Sequence, residues 1–199
     1  VGNIYPLKFK GKAFNFPGLS LRDGLPSDYP EIFSIIEETL TTEFPYRKIE
    51  DLLLVDTYWD THDPPEWIME KGHRIPFDSY REYYFKDIAD TEKPNGHLHI
   101  VTDNTTGKIV ATAALTPHPE DSTKAYISKM YTLPKYRRRG LGTWLLEDLI
   151  DKAKTFGYKK MMLSNHVTFT DANKLYRRYG FTEAAEQPAI RYSYMEKDL

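Results

Sequence analysis

Within eight residues, Tyr136-Arg-Arg-Arg-Gly-Leu-Gly-Thr143 brings together three guanidinium groups, two glycines and the start of an amphipathic pattern. Leu141, Trp144, Leu145, Leu149, Ile150 and Ala153 recur at helical spacing. The first N–H groups of such a helix have no carbonyl four residues back, and they sit at the positive end of its dipole. Gly140 and Gly142 let those amides approach a ligand oxygen without an intervening Cβ, while Arg137, Arg138 and Arg139 add charges able to grip phosphate in bidentate fashion. The chemistry these residue types suit is capture of an anion, with a pyrophosphate as the expected ligand. The stretch matches neither Gly-x-Gly-x-x-Gly nor a P-loop ending in Lys-Ser/Thr, which excludes the usual dinucleotide and nucleoside-triphosphate motifs.

The turn needs a strand to lead into it. Ala125-Tyr-Ile-Ser-Lys-Met-Tyr-Thr-Leu133, β-branched and aromatic, reads as that strand, and Lys160 to Asn165 as a buried one. Asp171 to Phe181 reads as a helix that Gly180 ends as a left-handed cap. Upstream, Leu19 to Asp23 is a first strand; Ser27-Asp28 is a possible helix cap before the apolar stripe Ile32, Phe33, Ile35, Ile36 and Leu40. His97 to Asp103 and Lys108 to Leu115 form a hairpin around Asn104-Thr-Thr-Gly107, and Ala189 to Met195 is the final strand. Residues 1–18 carry no strong pattern and read as an arm on one domain spanning 19–199.

At 199 residues and 40% hydrophobic, the chain has enough material for one real core and too little for two large ones. With no cysteine, disulfides and thiolate metal sites are excluded. No apolar run reaches membrane-spanning length and no signal-peptide pattern is visible, so the expectation is a cytoplasmic protein without a membrane partner. The net charge of -2 hides a division: residues 124–179 carry 13 Lys and Arg against 4 Asp and Glu. That basic segment suits a polyanionic ligand; no nucleic-acid module accompanies it, so nucleic acid is not expected. Asp60, His62, Asp63, Glu66 and His73 invite a metal reading, but Pro64-Pro65 breaks helical ligand spacing and no metal is expected.

Arg137-Arg-Arg-Gly-Leu-Gly142 resembles the Arg/Gln-x-x-Gly-x-Gly/Ala signature of the GNAT superfamily of N-acetyltransferases, with Met130-Tyr-Thr-Leu-Pro134 similar to the strand end that precedes it. About thirty residues on, Ala172 to Phe181 is similar to the same family's Ala-x-x-Leu-Tyr-x-x-x-Gly-Phe. The resemblance implies an α/β (α+β) fold with a mixed, mostly antiparallel sheet flanked by helices, and acetyl-CoA as co-substrate. It assigns cofactor contacts to Met130, Tyr131, Thr132, Arg137, Arg138, Arg139, Gly140, Leu141, Gly142, Thr143, Asn165 and Tyr176. One departure is Phe169, where many members carry Asn.

The same resemblance gives main-chain N–H groups near Met130 and Thr132 the task of polarising the thioester carbonyl, and Tyr176 that of general acid. Histone-modifying members carry a Glu where this chain has Tyr126. Protein N-terminal acetyltransferases pair a strand tyrosine with a histidine; Ser164 occupies that matching place and His166 lies two residues on. Tyr126 and His166, acting through water, are therefore the candidate bases, while His99 and His118 read as ordinary structural histidines. The family's acceptor side is covered by the segment equivalent to Thr41–Asn95, a lid-like insert here with 13 acidic against 7 basic residues and with Trp59 and Trp67. An acidic, aromatic cover favours a cationic amine; the alternative is that its aromatics only pack it on the sheet. Transfer of an acetyl group to a small-molecule amine is the leading expectation, with a protein N-terminus or lysine as alternative acceptor and a non-catalytic acyl-CoA sensor as the other class. A monomer or homodimer is expected.

Overall fold

Ile109–Pro117 is buried at every residue but the last, which requires a strand covered on both faces. The structure, a computed structural model, describes residues 13–43, 69–70, 73–74, 88–186 and 192–199. In chain order the strands are β1 (Leu19–Asp23), β2 (Met69–Glu70), β3 (His73–Arg74), β4 (His97–Asp103), β5 (Ile109–Pro117), β6 (Lys124–Thr132), β7 (Lys160–His166), β8 (Thr182–Glu183) and β9 (Tyr192–Asp198). Three helices are described: α1 (Tyr29–Glu43), α2 (Leu141–Thr155) and α3 (Thr170–Arg178). β2 and β3 pair with each other; the rest form one seven-stranded sheet in the order β1-β4-β5-β6-β7-β9-β8. Every pairing in it is antiparallel except β6 with β7. The mixed, mostly antiparallel sheet expected from the sequence is what forms.

One apolar cluster lies on each face. Ile32, Phe33, Ile35 and Ile36 of α1 pack on Leu98, Ile100 and Ala114. On the other face Leu141, Trp144, Leu145, Leu149 and Ala153 of α2 meet Ala113, Leu115, Ala125 and Ile127. Burying each of these leucines stabilises the fold by about 1.5–3 kcal/mol relative to exposure. Among the described residues of the amino-terminal segment, Phe14 stands edge-on to Trp144 at 5.1 Å, and the Trp144 indole donates to the Ala13 carbonyl at 3.2 Å.

Asp28, read as a cap, sits in a short 3-10 turn just before α1. Its carboxylate accepts from the Leu25 N–H at 2.8 Å and from both terminal nitrogens of Arg22 at 2.7 Å. The last strand runs three residues beyond the expected stretch at its carboxyl end. Its charged end is held because Lys160 on β7 reaches Glu196 at 2.7 Å and Asp198 at 3.6 Å; residues 187–191 lie outside the described set. Leu40, although in α1, is likewise outside the side chains described. Most of the insert, with Trp59, Trp67, Asp60, His62, Asp63 and Glu66, also falls there. Among the described residues, no helix is long and apolar enough to cross a membrane.

Candidate active site

Two irregularities in β6 make the site. Ala114 faces Ser128 across the β5–β6 ladder and Thr112 faces Tyr131, so β6 carries one residue more than β5 over that interval. The surplus is a bulge at Lys129, whose φ is 49°. Thr112 Oγ1 donates to the Lys129 carbonyl at 2.6 Å and holds the bulge in place. On its other edge, β6 pairs with β7 only over Lys124–Lys160, Ala125–Met161 and Tyr126–Met162. Beyond that point the strands part, leaving a cleft of about 620 Å³.

The glycine turn forms one wall. Gly140 takes φ 84° and ψ 0° as the residue before α2, a left-handed conformation in which glycine carries no Cβ penalty. At Gly142 the reason for glycine is different: φ is ordinary, but an added Cβ would project into open space, and the residue lines the cleft. The first N–H groups of α2 have no helical acceptor. Arg137 turns inward, its Nε donating to the Thr132 carbonyl at 2.7 Å. Arg138 is largely exposed, 3.7 Å from Asp171, and lines the cleft. Arg139 instead lies 5.7 Å over the Tyr136 ring. A cleft of this kind, walled by main-chain donors and guanidinium groups with no Cβ in the way, fits a pyrophosphate-bearing ligand.

The opposite wall is α3. Its end is a Schellman motif: Phe181 N–H donates to Tyr176 O at 3.1 Å and Gly180 N–H to Arg177 O at 3.0 Å, with Gly180 at φ 83°. Phe181 therefore folds back onto Tyr176, ring centroids 6.0 Å apart, and fixes the tyrosine. The spacing Tyr-x-x-x-Gly-Phe is thus partly a helix stop. The Tyr176 hydroxyl lies 3.6 Å from Met130 Sδ at the bulge. Burial pushes its phenol well above the usual tyrosine range, so it holds its proton at neutral pH.

The cleft gathers Met130, Tyr131, Thr132, Arg137, Arg138, Gly140 and, beyond them, Leu141, Gly142, Thr143, Asn165 and Tyr176, all read from the sequence. It does not include Arg139, Tyr126 or His166. Tyr126 stacks on His118, centroids 5.1 Å apart, and burial raises its phenol pKa. His166 Nδ1 accepts the Thr168 N–H at 3.3 Å and pairs with its hydroxyl at 2.8 Å, an arrangement that leaves the neutral ring's proton on Nε2. Each stands one residue outside a cleft-lining neighbour, Ile127 or Asn165.

Sequence reasoning missed Asn173. Its amide donates to His166 O at 3.1 Å and accepts from Asn165 Nδ2 at 3.0 Å, pinning the end of β7 to α3. A polar residue on the buried face of the helix pattern was the signal for it. Phe169, the departure from the family pattern, lines the cleft and packs with the α1-side cluster.

The profile of the Acetyltransferase (GNAT) family matches residues 49–181, two thirds of the chain. The chain belongs to the GNAT acetyltransferase family. Solved structures agree on the fold. An acetyltransferase from Streptococcus agalactiae 2603 superposes with a TM-score of 0.63 at 17% identity, over 92% of this chain and 100% of its own. The PaiA N-acetyltransferase of Thermoplasma acidophilum, in complex with coenzyme A, gives 0.61 at 15% identity over 91% and 99%. The yncA acetyltransferase of Salmonella typhimurium, with its cofactor acetyl-CoA, gives 0.57 at 17% over 91% and 94%. No curated protein matches the sequence.

Proposed function

We propose that this GNAT member is an acetyl-CoA-dependent N-acetyltransferase that acetylates the primary amine of a small molecule by direct attack on the thioester. The observation that carries the reading is the meeting, in one cleft, of the glycine turn and a buried, protonated Tyr176 beside the Met130 bulge. Acetyl-CoA, when bound, supplies an activated acetyl thioester. The amides from Arg138 to Thr143 hold its pyrophosphate, with Arg137 and Arg138 adding charge. Backbone N–H groups around Met130 and Thr132 are the fixed donors for negative charge that develops on the thioester oxygen. Tyr176 holds its proton at the phenol oxygen, ready for the departing thiolate.

Proton removal from the incoming ammonium runs through water. Tyr126 cannot serve as a phenolate near neutrality because burial raises its pKa. His166 takes that proton at Nδ1 through an intervening water from just outside the cleft, once Thr168 releases this nitrogen, and becomes an imidazolium with both ring nitrogens protonated. The decisive experiment is a free-thiol assay with acetyl-CoA across a panel of small amines and peptides. Thiol release above background with small amines and not with peptides supports the reading; release with peptides alone replaces the acceptor class; coenzyme A binding without release with any of them leaves a non-catalytic sensor.

A further inference from the structure

We infer that the acceptor is recognised through two hydroxyls, Thr39 Oγ1 on α1 and Ser128 Oγ on β6, which read a neutral hydrogen-bonding group, a carbonyl or a hydroxyl, carried beside the reacting amine. This inference rests on the transferase reading above. Both oxygens are buried and neither has a hydrogen-bond partner. Both residues line the cleft.

Buried polar groups are nearly always paired, and an orphan calls for an explanation. Thr39, only 3% exposed, has a ready partner in principle, because a helical hydroxyl can bond the carbonyl four residues back. Ser34 does so to Pro30 in the same helix at 3.3 Å, and Thr155 to Asp151 in α2 at 2.9 Å. Thr39 does not. On the sheet, Thr112, buried beside the same bulge, spends its hydroxyl on the Lys129 carbonyl at 2.6 Å. Ser128, one residue before that bulge, has no such bond. Two orphan hydroxyls from different elements, on residues that line one cleft, share one explanation: their partner is the ligand that enters it, met when each side chain turns about its Cα–Cβ bond.

Position identifies which ligand. The glycine turn and Tyr176 belong to α2 and α3, whereas Thr39 comes from α1, which packs on the opposite face of the sheet. The orphan pair therefore belongs to the acceptor's half. Hydroxyls both donate and accept, which suits an uncharged polar group. Charge agrees with this. Among the described residues of the cleft the carboxylate is Asp171, beside Arg138 at the phosphate end.

The test uses two amines of nearly equal shape, glycinamide, which carries a carbonyl beside its amine, and isobutylamine, which does not. Each is titrated by ligand-observed NMR against the full chain, with and without coenzyme A. The parent is expected to prefer glycinamide by at least about five-fold, within the usual range for one or two neutral hydrogen bonds. Thr39→Val combined with Ser128→Ala is expected to erase the preference, with coenzyme A affinity unchanged by calorimetry and a melting temperature equal to or above the parent's, since no internal bond is lost. A parent without preference overturns the inference, as does a preference that survives in the double variant. A variant that melts well below the parent or fails to fold also overturns it, because the hydroxyls would then serve the fold; Ser128→Ala alone repeats the reading at one site. Failure of the parent to release thiol with any amine would sink the transferase reading, while the binding preference still decides this one.

Discussion

The Tyr176 hydroxyl lies 3.6 Å from the sulfur of Met130, so a helix residue and a strand-bulge residue meet across the cleft. The contact is weak as a hydrogen bond, which leaves the phenol proton available for transfer. If Tyr176 is the proton donor that the proposed function makes it, Tyr176→Phe should keep coenzyme A affinity in calorimetry and lower kcat by ~10²-fold or more. Parent-level turnover by the variant would make Tyr176 a packing residue.

Gly142 tests the cofactor wall with little cost to folding. Its backbone is not left-handed and an added Cβ meets nothing within 4 Å. Gly142→Glu should therefore melt close to the parent yet lose measurable acetyl-CoA binding, as a carboxylate would stand in the phosphate path. Gly140→Ala should behave in the opposite sense: at φ 84° a Cβ costs about 1–2 kcal/mol, visible in urea denaturation.

Asn173 joins two elements that would otherwise drift apart. Replacing it with Ala removes its bonds to His166 O and to Asn165 and leaves buried polar groups unmatched. A loss of about 1–3 kcal/mol in urea denaturation is expected, together with a raised KM for acetyl-CoA. A variant as stable as the parent would show that β7 is held by its ladder alone.

A buried chain of side chains between β4 and α2 sets a pH dependence. His99 Nε2 contacts Asp148 Oδ2 at 2.7 Å, and His97 follows at 3.2 Å from His99. Burial first, then the neighbouring His99 and Lys152, push the His97 pKa down to about 3. The unfolded chain takes up that proton near ~6.5 and the folded chain does not, so between those values the unfolded state binds more protons. Stability is unaffected above ~6.5 and falls as pH drops below it, by up to ~1.4 kcal/mol per pH unit. Urea melts from pH 7.5 to 4.5 should show that decline, and His97→Gln should flatten it; an unchanged slope in the variant would place the titration elsewhere.

The glycine turn, α2 and the Tyr176 helix were legible because each is written in local code: a glycine where φ is positive, an apolar face at helical period, a glycine stop. The hydroxyl pair was not legible, since Thr39 and Ser128 are 89 positions apart and nothing local marks a hydroxyl that lacks a partner. The bulge was hidden for a related reason. It is a mismatch between two strands, visible only when Thr112 and Tyr131 are set side by side. Tyr126 and His166 were drawn in by family position; Tyr126 stands outside the cleft because it is still paired with Met162 in the seam, and His166, at the end of β7, is engaged with Thr168 instead.

The seam at Lys124–Tyr126 and Lys160–Met162 is the direct join between the two halves of the sheet. It acts as the vertex of an angle whose arms line the cleft. Ala125 and Met161, both buried, pair across the vertex, so their packing fixes the angle at which the two strands begin to part.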